Sequence, residues 1–370
     1  MPGPAVTEAQ VKRILERYSK YTSLTITDAS RKLGISPSTL RRYIGELADK
    51  FGLDAPKPQN PLTFAMAPNA RAMRKAIVHE THEIPELPDD DLSVEEIIEL
   101  RKREFSQKRA HEDATKLIPI NIKIAGPIGI LHFGDPHLDD DGTDIATAFY
   151  HAELTRKVEG LFGANMGDTT NNWVGRLARL YADQNMGRKR ALRVAEHFLR
   201  SARWLYIVRG NHDLWSGEDD PVKWVAGSIG AIQAPSEVRV ELRFPSGAPF
   251  RINARHDFAG HSQWNPAHAL MKAFTMGFRD HLFVAGHRHE SAYSVLKDPM
   301  SGITGHMLRV ASYKIFDRYA KEKGFRDQSF GPAALTVIQP DLPDTHPDRC
   351  KLFWDPDEGV DFLKFKRRAS

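Results

Sequence analysis

A chain of 370 residues exceeds one ordinary core, and its 41% hydrophobic and 27% charged residues suit a globular protein of two or three units. One cysteine, Cys350, excludes an internal disulfide framework, and no apolar run approaches the roughly 20 residues of a membrane span. The start, MPGPAVTEAQVKRI, has no apolar signal-peptide region, so a cytoplasmic protein without a membrane partner is expected. The formal net charge is +4. Residues 1–53 hold nine Lys/Arg against five Asp/Glu while the remainder is balanced, so attraction to a polyanion centres on this segment.

The first segment reads as three helices. Val11, Ile14, Leu15 and Tyr18 share one helical face, with Thr7-x-x-Gln10 as a capping box at its start. Thr27 is a start signal for a second, short helix that turns Ala29 and Leu33 inward. Gly34 can supply the positive φ of a tight corner. Ser36 then caps a third helix, with Pro37 in its first turn and Leu40, Ile44 and Leu47 on its apolar face.

The stretch TDASRKLGISPSTLRRYIGEL resembles a helix-turn-helix DNA-binding domain, with Ala29, Gly34, Ile35 and Leu40 at its characteristic positions and a departure at Ser30. In such domains the second helix of the motif enters the major groove, so the resemblance makes Ser38, Thr39, Arg41 and Arg42 the candidates for DNA contact. A three-helix interaction module with solvated basic residues is the alternative.

Residues 54–92 are Pro-rich and aperiodic, a linker or irregular arm. Ser93-x-x-Glu96 opens a charged helix over 93–117. Its Val94, Ile97, Ile98 and Phe105 face one way and are expected to pack on the following domain. From residue 118 to 345 short apolar runs alternate with helical stretches, the pattern of an α/β domain with buried sheets. The runs are INIKI, GILHF, VEGLFGANM, RWLYIV, FRINAR and HLFVAG. Residues 346–370 read as a turn-rich tail ending in the basic KFKRRAS, placed either over the site or against nucleic acid.

Polar chemistry follows the ends of five of these runs: Gly134-Asp135-Pro136-His137, Gly167-Asp168, Gly210-Asn211-His212-Asp213, His256, and Gly286-His287-Arg288-His289. Ligands in α/β folds gather just past strand ends. Carboxylate with imidazole, and no thiolate, suits borderline divalent metals such as Mn, Fe and Zn. A carboxylate can bridge two cations, and two metals roughly 3.5–4 Å apart can activate a water and clamp a phosphoryl group.

In this order the five blocks, spanning about 118–315, resemble the calcineurin-like metallophosphoesterase superfamily. The whole arrangement is more loosely similar to phage- and prophage-encoded members. The resemblance implies a four-layer α/β sandwich of two β-sheets flanked by helices, preceded here by a small all-α helix-turn-helix domain. It also implies two divalent metal ions: Asp135, His137 and His289 on the first, Asn211, His256 and His287 on the second, and Asp168 bridging both. His212 would face the substrate phosphate, with Asp213 as its companion in the motif.

Many members continue the second block as Gly-Asp-x-x-Asp, whose last carboxylate orients the histidine. This chain has Asn171 there, an uncharged acceptor that would raise the pKa of His212 less. Asp139, Asp140 and Asp141 are expected to form a solvated loop. His261 lies beyond Gly260 as a candidate phosphate contact, and His268 belongs to ordinary helix packing.

The expected function is two-metal hydrolysis of phosphate esters on DNA, as a nuclease or end phosphatase, by a hydroxide bridging the metals. One alternative is a protein or small-molecule phosphatase with a regulatory helix-turn-helix. A second is a non-enzymatic DNA-binding factor.

Overall fold

The computed structural model describes residues 6–57, 78–79, 82–83, 92–217, 220–316 and 329–369, so most of the expected linker 54–92 lies outside the described residues. The chain divides into two compact units, residues 1–101 and 102–370.

In the first unit, α1 (Glu8–Tyr18) buries Val11, Leu15 and Tyr18, and Gln10 Oε1 accepts from the Thr7 N–H at 2.9 Å. Helix α2 (Ile26–Leu33) starts two residues earlier than expected. Thr25 is the cap, its Oγ1 accepting from the Asp28 N–H at 3.2 Å while donating to Asp28 Oδ2 at 2.7 Å. The Thr25–Asp28 pair competes successfully with Thr27, because Asp28 then stands three residues after the cap, where its carboxylate reaches the cap hydroxyl. Gly34 ends α2 at φ 69°, and Ser36 Oγ caps α3 (Pro37–Arg42) through the Thr39 N–H. A π-helical turn, Tyr43–Leu47, and the short α4 (Ala48–Lys50) follow. Tyr18, Ile26, Ala29, Leu33 and Leu40 form one small core, and Val11, Leu15, Leu47 and Ala48 another. Two-residue strands β1 (Val78–His79) and β2 (His82–Glu83) pair antiparallel.

Helix α5 (Val94–Thr115) carries the reciprocal cap: Ser93 N–H donates to Glu96 Oε2 at 2.8 Å and Glu96 N–H to Ser93 Oγ at 3.2 Å. None of its residues is buried, and Val94, Ile97, Ile98 and Phe105 are exposed.

The second unit holds two mixed six-stranded sheets. The first has the order β11-β12-β10-β9-β8-β3, from β3 (Ile118–Asn121), β8 (Glu237–Arg243), β9 (Phe250–Arg255), β10 (Leu282–Ala285), β11 (Ala292–Lys297) and β12 (Thr304–Arg309). The second is β14-β13-β4-β5-β6-β7, from β4 (Ile128–Phe133), β5 (Leu161–Asn165), β6 (Trp204–Arg209), β7 (Ile232–Pro235), β13 (Ala333–Ile338) and β14 (Cys350–Phe353). Strands β4 to β7 run parallel, as do β9, β10 and β12.

Side chains alternate across each strand, which assigns the layers. Ile128 and Ile130 of β4 and Leu282 and Val284 of β10 enter the core between the sheets. Leu131 and Phe133 instead join the cluster containing α6 (Ile145–Lys157), α7 (Arg188–Ser201), α9 (Pro221–Ser228) and α11 (Pro356–Arg368). Phe283 and Ala285 pack under α10 (His268–Met276) with Leu270 and Phe274. Helix, sheet, sheet and helix are thus stacked as an α/β sandwich.

The segment read as a tail from 346 belongs to this body. β14 pairs antiparallel with β13, and α11 buries Val360 and Leu363. The basic end is docked too: Arg367 donates to Ala125 O and Pro127 O at 3.0 and 2.9 Å and pairs with Glu159. No helix among the described residues is long and apolar enough to cross a membrane.

Candidate metal centre

Parallel strands end at a common edge, so the loops after β4, β5 and β6 from one sheet meet those after β9 and β10 from the other. Asp135 and His137 follow β4, and Asp168 follows β5. Asn211, His212 and Asp213 lie on α8 (Asn211–Leu214) after β6. His256 follows β9, while His287 and His289 follow β10. Hydrogen bonds tie these loops to one another: His137 N–H to Asp168 O (3.0 Å), His212 N–H to Asp168 Oδ1 (2.9 Å) and His287 N–H to Asp135 Oδ1 (3.1 Å).

The approach is close enough to need glycine. A Cβ on Gly210 would lie 2.1 Å from Asp168 Oδ1, and one on Gly286 would lie 2.5 Å from Asp135 Oδ1. Strain concentrates at the same place. His137, Asp168, His287 and His289 all have positive φ, between 40° and 68°, a conformation that side chains other than glycine adopt at a cost.

Three groups of side chains bring one ligand atom each within 4.8 Å of one another: Asp135, His137 and His289; His137, Asp168 and His212; and Asp168, His256 and His287. His256 shows why this set suits a cation. Its Nδ1–H donates to Met166 O at 2.7 Å, which leaves the Nε2 lone pair facing inward. There Nε2 meets Asn211 Oδ1 at 2.9 Å, His287 Nδ1 at 3.0 Å and Asp168 Oδ2 at 3.2 Å. Four lone pairs converge, and a cation among them relieves the repulsion. In the first group, Asp135 Oδ2 and His137 Nδ1 are buried without a hydrogen-bond partner, and Asp135 Oδ2 stands 3.3 Å from His289 Nε2. The residues present therefore fit two divalent ions, with Asp168 common to two of the three groups.

The electrostatics agree. Burial works against charge on His256, yet the carboxylates of Asp168 and Asp135 outweigh it and push the imidazole up to about 10. Burial also opposes ionisation of Asp168, but His256, His212 and His137 hold its carboxyl below the ordinary range. His137 is held well below the usual imidazole value by burial and then by His212 and His289. Burial and His256 lower His287. A proton or a divalent ion can satisfy the cluster, and the two compete for the same lone pairs.

His212 stands beside this cluster with Nε2 3.8 Å from Asp168 Oδ2, packed against Trp173 and Trp215 and facing His137 edge-on. Its Nδ1 donates to the backbone carbonyl of Asn171 at 2.7 Å. Residue 171 is thus the orienting residue, but through its main chain. The side chain that was expected to accept instead donates, through Nδ2, to Asp140 Oδ2 and Gln184 Oε1 at 2.9 and 3.0 Å. Asp213, the companion of His212 in the motif, serves here as a cap and a tie between loops. Its carboxylate accepts three backbone N–H groups, from Asp168 (2.8 Å), Gly210 (2.9 Å) and Thr169 (3.1 Å). It fastens the second block to the third.

The aspartate run is likewise occupied. Asp139 is buried and accepts the Asn171 N–H at 2.6 Å, Asp140 pairs with Lys314 at 3.0 Å, and Asp141 accepts from Asn185. Asp139 and Asp140 therefore hold the residue that holds His212. The spacing of charges alone could not reveal this, since Asn171 lies 32 residues beyond Asp139. Trp173, two residues past Asn171, was the available signal for the aromatic wall.

His261 is exposed, its Nε2 3.3 Å from Asp257 Oδ2, and is in none of the three metal groups. His268 is exposed at the first turn of α10. Ser38, Arg41 and Arg42 are exposed on α3, while Ser38 and Thr39 hydroxyls share hydrogen bonds with Ser36 Oγ at 2.9 and 2.7 Å.

No protein-family model matches the chain, and no curated protein matches it. Among solved structures, the chain is similar to the NAD nucleotidase of Haemophilus influenzae at 9% identity and a TM-score of 0.34, over 61% of this chain and 49% of that one. It is also similar to a hypothetical protein from Thermus thermophilus at 12% identity and a TM-score of 0.33, over 61% of this chain and 98% of that one.

Proposed function

We propose that the chain is a phosphoesterase that works with two divalent metal ions and acts on phosphate esters of DNA. The observation that carries the reading is Asp168: one buried carboxylate, at positive φ, grouped with His256 and His287 on one side and with His137 and His212 on the other. Asp135, His137 and His289 would hold one ion, Asn211, His256 and His287 the other, with Asp168 between them. Bound there, the pair supplies Lewis acidity and an activated water, for which Mn²⁺ is the first ion to try.

The chain's own groups do the rest. His212, with Nδ1 committed to Asn171 O, turns Nε2 toward the cluster, where it donates a hydrogen bond or a proton to the departing ester oxygen. Trp173 and Trp215 limit its ring to that orientation. Asp213 keeps the two loops in register.

DNA as substrate is supported by the basic excess of residues 1–53 and by the exposed Arg41 and Arg42 on α3, which follows the Gly34 corner. The test is a panel with Mn²⁺: a chromogenic monoester, a chromogenic diester, and single- and double-stranded DNA, each with and without residues 1–53. Hydrolysis of DNA that weakens and loses salt dependence without that segment supports the reading. Turnover of the monoester alone contradicts it.

A further inference from the structure

Asp257, directly after His256, is not a member of the metal groups, yet it organises the rim beside them. Its Oδ1 faces NH1 and NH2 of Arg309, both at 3.3 Å. Arg309 is buried at the end of β12 and also donates to Gly286 O at 2.7 Å and Pro266 O at 3.0 Å. One guanidinium thus braces both the loop after β9 and the loop after β10. The brace leaves Asp257 Oδ2 for two exposed side chains: His261, with Nε2 at 3.3 Å, and Arg288, with Nε at 3.8 Å.

Arg288 stands in the chain between His287 and His289, one from each metal group. At 3.8 Å its ion pair with Asp257 is longer than a hydrogen bond, so the pair aims the guanidinium without using up its five donors. A purely structural brace accounts for Asp257 and Arg309. It does not account for two further basic side chains gathered on the solvent side of the same carboxylate, next to the centre.

The geometry points to a second anion subsite, in which Arg288 and His261 receive a phosphate adjacent to the one being cleaved. Guanidinium forks match phosphate oxygens in a planar, bidentate manner, and a backing carboxylate holds the fork ready. The inference rests on the phosphoesterase reading and narrows its substrate. The preferred ester carries a neighbouring phosphate, as every internal bond of a nucleic-acid strand does and an isolated monoester does not.

The experiment compares two diesters with Mn²⁺ present: bis(p-nitrophenyl) phosphate, which has one phosphate, and a p-nitrophenyl ester of a thymidine dinucleotide, which has a second. For Arg288→Ala and for the double variant with His261→Ala, the ratio of kcat/KM between dinucleotide and simple diester falls about tenfold, through KM, as loss of a charge-assisted contact predicts. Arg288→Lys recovers part of the ratio. An unchanged ratio in the double variant overturns the subsite, whether or not both rates drop. If the unaltered protein hydrolyses neither diester nor a chromogenic monoester, the phosphoesterase reading fails. The subsite is then read from binding of inorganic tripolyphosphate and orthophosphate to the Mn²⁺-loaded protein. A preference for tripolyphosphate that Arg288→Ala removes supports it, and equal affinities overturn it.

Discussion

His212 is oriented by a main-chain atom, so the absent carboxylate at 171 removes nothing from its alignment. His212→Ala is expected to lower kcat by about 10²- to 10⁴-fold, the usual worth of a positioned acid or base, with the number of bound metal ions unchanged. Loss of metal in that variant, measured by elemental analysis, would put His212 among the ligands. At this scale the sequence was most legible where a side chain acts directly. Seven ligand candidates and His212 each follow a strand-like run, and the structure brings all eight together. It was least legible where a side chain acts on backbone. Asp213 and Asp139 bond to N–H groups 32 to 45 residues away, and no local spacing records such partners.

Among the elements, the segment from 346 carries the largest correction. Its turn-rich composition hides a four-residue strand, Cys350–Phe353, and a helix in which Gly359 lies close against Leu335 and Phe353. Leu363 is fully buried beneath β4 and β13, so Leu363→Ala should cost about 2–5 kcal/mol of unfolding free energy, measured by urea titration. A variant as stable as the parent would return this segment to the status of a tail. A long periodic element such as α1 could be read directly, because a repeated apolar face fixes type as well as place. The start of α2 could not, since Thr25 and Thr27 are both competent caps and only the Asp28 contact separates them.

In the molecule as a whole, the two sheets bury histidines that must stay neutral. Burial lowers His132 and His281 to about 3, and His151 and His306 to about 4. Below about pH 6.5 the unfolded chain takes up protons at these sites while the folded chain does not, so stability is full above that pH and is lost as pH falls toward about 4. Each histidine contributes roughly 1 kcal/mol per pH unit over its window. Unfolding curves of chelator-treated protein should therefore shift steeply to lower denaturant between about pH 6.5 and 4.5. A flat profile there would mean that these rings are charged within the fold.

Asp168 joins the two sheets' contributions into one centre, and counting metal tests that most directly. Equilibrium dialysis against Mn²⁺ should give two ions per chain for the unaltered protein. Asp168→Asn should lose both while keeping its circular dichroism. Two ions retained by Asp168→Asn, or fewer than two on the unaltered chain at saturation, would contradict the account.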